Sequence, residues 1–416
     1  MKKIVYVSLF SLLTVLLTAC GSSNSAKQEK SSKKLVAYFA DNVNNAINVI
    51  DVDKMELIDN IPTGHQDTHT AGIASYSPDE TKLYVSNRAS QALDIIDTKS
   101  NEIVKTVALD FCPRSISVEK DTHLVDVAAV DRPMAAIIDA KSDELIATVG
   151  DKNTVLSSKC GHSYWLDASH FTFIDREHNK IYNYELKKEN GSWKTTLIDA
   201  LDTPSPVHHM VAPSDGDGSV FYAMAEGNNS VYPAVLKLTY SASKHLDINE
   251  SLSLTYSNLT AAEMGGHHLN LIKGSTKIYA GSKEGHLFVI DYSKNPMEIV
   301  KVIEAGIGAG HTVQSPQGDR AVVINHKDKF ITLIDTINDT KIADIVVSQL
   351  DDSIVGTKQI QAHTQYHFSP DGRYFYMALT QEGELIKVDL DAKKVLNRVH
   401  VYSGHLTMGS FVSLSE

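Results

Sequence analysis

Histidine is the residue type whose number and placement in this chain point to chemistry. Of 18 histidines, eleven (65, 69, 162, 208, 209, 267, 268, 311, 363, 367 and 405) fall at or near the heads of short strand-like runs. Neutral imidazole is the commonest protein ligand for zinc and suits copper and nickel equally. Three or four such groups on bonds of about 2 Å make a metal site. Four candidates share one place. Taking the turns at Ser77, Ser315 and Ser369 as equivalent, His311 lies four residues before its turn, and His162, His208 or His209, and His268 hold the matching place in the three preceding copies. His363, His367 and His405 flank that place further on, and Gly64-His-Gln-Asp-Thr-His69 adds His65, Asp67 and His69 on a loop. The competing reading is that such histidines bind water or a carbonyl at a channel mouth, inherited by duplication.

The elements that must position these side chains are repeats. An apolar run ending in an acid recurs at Asp51, Asp97, Asp139, Asp291, Asp335 and Asp389, with degenerate copies at Tyr182-Asn-Tyr-Glu185 and Val235-Leu236-Lys237. A period of about 40–45 residues built from four short strands is the signature of a propeller blade. One unit supplies them over 72–76, 82–86, 92–97 and 102–109, separated by Ser77-Pro-Asp-Glu80, Asn87-Arg88 and Thr98-Lys99. The first unit, 34–61, lacks its innermost strand, and 405–415 is a strand with no blade behind it. Pairing the two ends closes the ring without a free edge. The reading is an all-β, single eight-bladed propeller over 34–416, with seven blades if a degenerate copy is misjudged. Residues at one level of the innermost strands then ring the central channel. Strand alternation lets only one of His208/His209 and one of His267/His268 face it. The remaining histidines, among them His123, His170, His178, His245, His286 and His400, are expected on the surface. His326, in a turn, reaches a channel mouth or is solvated.

Residues 1–19 read as a signal peptide, with Lys2 and Lys3 before an apolar stretch and Leu17-Thr-Ala19 before Cys20. This resembles a bacterial lipobox, which implies cleavage and lipidation at Cys20, an extracytoplasmic chain anchored to the membrane (the periplasmic side of the outer membrane in a Gram-negative cell), and a flexible tether over 20–33. In an exported protein the remaining pair, Cys112 and Cys160, is expected as a disulfide, with thiolate metal ligation the alternative. A net charge of −12 argues against nucleic acid as a partner. No phosphate loop, zinc-protease helix, nucleophile elbow or c-type haem motif occurs, and no catalytic residue is assigned.

Lys82-Leu-Tyr-Val-Ser-Asn87 with Ile96-Asp97, and Ser369-Pro-Asp-Gly-Arg-Tyr-Phe-Tyr376, resemble the bacterial YVTN-type propeller repeats. Val207-His-His-Met-Val-Ala-Pro213, Lys159-Cys-Gly-His162, Gly310-His311 with Asn325-His326, and the His-Asp-His character of 65–69 are similar to the AztD-type periplasmic zinc metallochaperones. That resemblance implies zinc held by channel histidines and delivered to the solute-binding protein of an ABC importer. Nitrous-oxide reductases also hold copper among propeller histidines, but this chain lacks their cupredoxin domain. The alternatives are a propeller scaffold binding protein or glycan, and a copper redox enzyme.

Overall fold

The structure, a computed structural model, describes residues 33–73, 82–119, 122–150, 162–213, 216–363, 365–402 and 408–415. The signal peptide, Cys20 and the tether up to residue 32 lie outside them, as do Cys160 and His405. Eight four-stranded antiparallel sheets form the blades of one propeller. We number them along the chain: blade 1 is 33–62 together with Gly409–Ser415, and blades 2 to 8 are 68–108, 113–150, 162–202, 207–253, 266–304, 309–346 and 367–400.

The ring closes as expected. Strand Gly409–Ser415 pairs antiparallel with Lys33–Asp41, Val412 opposite Val36, so the last residues of the chain supply the innermost strand of the first blade. Both degenerate copies are full blades, with long third strands Lys180–Glu189 and Ala234–Tyr240. The innermost strand of blade 2 starts at Thr68, earlier than the expected 72, which draws His69 into the strand.

Burial follows the layering. Second strands such as Leu124–Ala129 and His170–Asp175 are buried along their whole length, whereas outermost strands such as Glu102–Ala108 alternate. Each sheet packs both faces against its neighbours, and an apolar layer fills each of the eight gaps between blades. Phe171 and Phe173 face Leu124 and Ala128 between blades 3 and 4, and Phe368 and Phe375 face Val322 and Ile324 between blades 7 and 8. The core is therefore distributed radially and leaves the axis for polar groups.

The repeated aspartates are turn residues. Asp97, Asp139, Asp291 and Asp335 each accept a hydrogen bond from the backbone N–H two residues on, at 2.7–3.0 Å. The short carboxylate ties the turn after each third strand, so the Ile-Asp landmark is fully explained by folding.

Candidate metal centre

At the heads of five innermost strands the pairing slips by one residue at the same level. In blade 2 Thr68 faces Asn87 and Thr70 faces Ser86, leaving His69 extra; in blade 3 the extra residue is Arg114, and in blade 5 it is His208. In blade 6 His267 and His268 lie inside the shift, and in blade 7 Gly310 and His311 do. A β-bulge turns its extra side chain out of the pleat. This overturns the alternation rule: both residues of each adjacent pair reach the channel. The His268 ring packs against His208, His209 and His267 with centroids 4.5, 4.9 and 4.8 Å apart.

The ligand atoms converge. His208, His267, His268 and His363 form one group and His311, His326 and His363 another, each with its ligand atoms within 4.8 Å of one another. His268 Nε2 lies 3.1 Å from His208 Nε2 and 2.8 Å from His363 Nε2. One ring nitrogen carries either a proton or a lone pair, so it cannot make a well-formed hydrogen bond to both neighbours in opposite roles. Bonds of about 2.0–2.1 Å in a tetrahedron would set ligand nitrogens about 3.3 Å apart, close to what is seen.

Two outer contacts fix which nitrogens look inward. His208 Nδ1 lies 2.9 Å from Glu226 Oε1, and His326 Nδ1 lies 3.0 Å from the Gln361 carbonyl oxygen. Carboxylate and carbonyl only accept, so Nδ1 donates in both rings and the Nε2 lone pairs face the cluster, an arrangement typical of metal-bound histidine. His326 Nε2 meets His311 Nδ1 at 3.2 Å. His268 Nδ1 is buried with no hydrogen-bond partner.

Electrostatics keep the cluster neutral. Burial, then repulsion from His311, His208 and His363, hold the His268 imidazole well below its ordinary range, and His363 and His311 behave alike. Burial pushes His209 and His326 down to about 4. Unprotonated imidazole is the ligating form. Gly310 makes room: a Cβ there would stand 2.7 Å from both His267 Nδ1 and His326 Cδ2. The cluster lies between two openings, a cavity of about 410 Å³ lined by His162, His209, His268 and His311 and one of about 390 Å³ lined by His267 and His326. His363 lines both.

The other candidates are placed as follows. His162 packs against His208 at 5.9 Å and stands beside the ligand groups. His367 stacks on Phe411, away from them. The His65–His69 loop is drawn apart: His65 Nε2 lies 3.4 Å from Asp94 Oδ1, Asp67 faces Arg88 at 3.6 Å, and His69 is buried and pushed down to about 3 by burial, Arg88 and Arg114. Cys112 is a free thiol whose ionisation is pushed up by burial and Asp131. His170, expected on the surface, is buried between Asp167 at 2.8 Å and Glu185 at 3.3 Å.

Sequence reasoning missed Glu226 and left His326 open. No motif marks the place: each immediately follows the second strand of its blade, as Arg88, Arg176 and Lys283 do.

No family model matches the sequence, and no curated protein does. Solved structures share the fold. Dihydro-heme d1 dehydrogenase NirN, solved in complex with DHE, has a TM-score of 0.64 at 15% identity over 90% of this chain and 74% of its own. Apo AztD from Citrobacter koseri has a TM-score of 0.56 at 13% identity over 92% and 98%. Sqt1 from Saccharomyces cerevisiae has a TM-score of 0.60 at 12% identity over 82% and 86%. Three such different proteins establish the propeller and leave the site to argue for itself.

Proposed function

We propose that this protein is an extracytoplasmic metallochaperone that binds a transition-metal ion, Zn²⁺ first and copper second, among His208, His267, His268, His311, His326 and His363, anchored to the membrane through lipid on Cys20. The observation that carries the reading is the convergence of three Nε2 atoms, from His208, His268 and His363, with the His208 tautomer fixed by Glu226. Such a set is unsatisfied by hydrogen bonds alone and is completed by a cation. The AztD likeness agrees with it. Two overlapping ligand groups that share His363 suit a carrier: the ion has an exit that does not require losing all ligands at once. His363 sits on a loop, free of strand pairing, between the two openings. The receiving partner on this reading is the solute-binding protein of an importer.

Metal analysis of protein purified without chelators tests the reading, backed by competition against a chromophoric chelator. We expect about one equivalent of zinc; less than about 0.1 equivalent with no competition would sink it.

A further inference from the structure

The channel wall of blades 2 to 4, which also holds His69 and His162, carries three arginines. Arg114 occupies the bulge position that histidine holds in blades 2, 5, 6 and 7, and Arg88 and Arg176 occupy the position held by His326. Carboxylates already pair two of these arginines, Glu226 with Arg176 and Asp67 with Arg88. Glu226 accepts from Arg176 Nη2, from His208 Nδ1 at 2.9 Å and from Lys283 Nζ at 3.0 Å. Asp67 faces Arg88 at 3.6 Å, and Asp131 binds the Arg132 side chain at 2.8 Å and the Cys112 amide at 3.2 Å. Among the described residues Arg114 has neither an ion pair nor a hydrogen bond. Burial and the charges of Arg176 and Arg88 push its ionisation down to about 10. Arg176 Nε is buried with no hydrogen-bond partner, and Arg88 Nε, also buried, makes no hydrogen bond and meets Asp67 Oδ2 only at 3.6 Å. Buried donors are nearly always satisfied, and uncompensated charge in a protein interior is costly. The cavity of about 410 Å³ opens on Ser115 and His162, the neighbours of this wall.

We propose that Arg114, with Arg88 and Arg176, forms a binding site for a small oxyanion, a carboxylate or phosphate group, on the channel wall facing the histidine cluster. Guanidinium donors in a planar fork match two oxygens of such a group, and its negative charge supplies the partner that Arg114 lacks. The arginine site needs no ion in the histidine cluster.

The test is titration calorimetry of the metal-free mature chain with sodium phosphate and with citrate at constant ionic strength, chloride serving as the control, paired with thermal melting. We expect saturable binding of at least one anion and a rise in melting temperature with it. Arg114→Gln should weaken that binding about tenfold or more, while zinc stoichiometry is unchanged and the anion-free variant melts no lower than the parent. Arg114→Lys, which keeps the charge but loses the fork, should fall between. Phosphate outranking citrate assigns the site to phosphate, and the reverse to carboxylates. The idea is overturned if neither anion binds better than chloride, or if Arg114→Gln and Arg88→Gln both bind as the parent does. Should Arg114→Gln fail to fold, Arg88→Gln decides. Failure here leaves the metal reading standing.

Discussion

Blades 5 to 7 and blades 2 to 4 turn corresponding backbone positions toward the axis and fill them with different mixtures of imidazole and charge. On one side the bulge position holds His208, His267/His268 and His311; on the other it holds His69, Arg114 and, at the same level, His162. The position after the second strand holds Glu226, Lys283 and His326 on one side and Arg88 and Arg176 on the other. The scaffold is therefore indifferent to what lines the channel. The groups that can hold a cation come from blades 5 to 7 and the loop before blade 8, whereas the three arginines stand on blades 2 to 4, with His69 and His162 sharing their side and Lys283 the other. Glu226 joins them, since one carboxylate orients His208 and also meets Arg176 and Lys283.

The comparison breaks most directly at His268, whose Nε2 meets two other imidazole nitrogens. His268→Ala should lower zinc affinity by at least about 100-fold, the upper end of what losing an outer-shell partner costs. Arg114→Gln should leave it within the error of a chelator competition. Equal effects of the two would dissolve the division into halves.

Glu226→Gln probes the junction. The amide can still meet His208 but no longer enforces the inward lone pair, and it strips the counter-charge from Arg176 and Lys283. Zinc affinity should fall about 10- to 100-fold, with a readout in the same competition assay. A loss of less than about twofold would mean that the His208 tautomer is set by something else.

The fold and part of the site were legible in the sequence. The repeat revealed the blades, the ring closure and the level of the histidines, because propeller strands are short, local and regularly spaced. Three things were hidden. Alternation assigns one face to each of His267 and His268, and only the bulge, a pairing property, places both in the channel. Glu226 and His326 follow strands whose boundaries no motif marks. His170 looks like a turn histidine, but Asp167 and Glu185 supply partners that let it be buried. In each case the missing information was a contact across strands, which a linear pattern does not contain.

Acid separates the folded and unfolded chains on both sides of the channel. His209 and His326 are pushed down to about 4 and His69 to about 3, against about 6.5 when unfolded. A folded-state value below the unfolded one means that the unfolded chain takes up protons first as pH falls. The metal-free protein should thus lose stability from about pH 6.5 toward pH 4, at up to about 1.4 kcal/mol per pH unit for each such group. Denaturant melts at pH 7, 6 and 5 check this. Zinc affinity should hold at pH values where exposed histidines are already protonated, so its acid limit lies below the 6.5 of an ordinary imidazole. A midpoint of stability loss that tracks only carboxylate titration would refute the account.

The smallest expected effect concerns a histidine that sits at a strand head yet outside the cluster. His367 opens the innermost strand of blade 8, and by position alone it belongs with His268 and His311. Its ring instead stacks on Phe411 with centroids 5.4 Å apart and lies 6.3 Å from Tyr376. Phe411 is on the strand that closes the ring, so this imidazole acts as a flat packing surface between blade 8 and the closure. The channel side at this blade is supplied from the preceding loop by His363. His367→Ala should accordingly change zinc affinity by less than about twofold while costing about 0.5–1.5 kcal/mol of stability, the usual worth of an aromatic pair. Chelator competition and urea denaturation of the same preparation separate the two readouts. If affinity fell as it does for His268→Ala, strand-head position alone would define a ligand, and the bulges would lose their explanatory role.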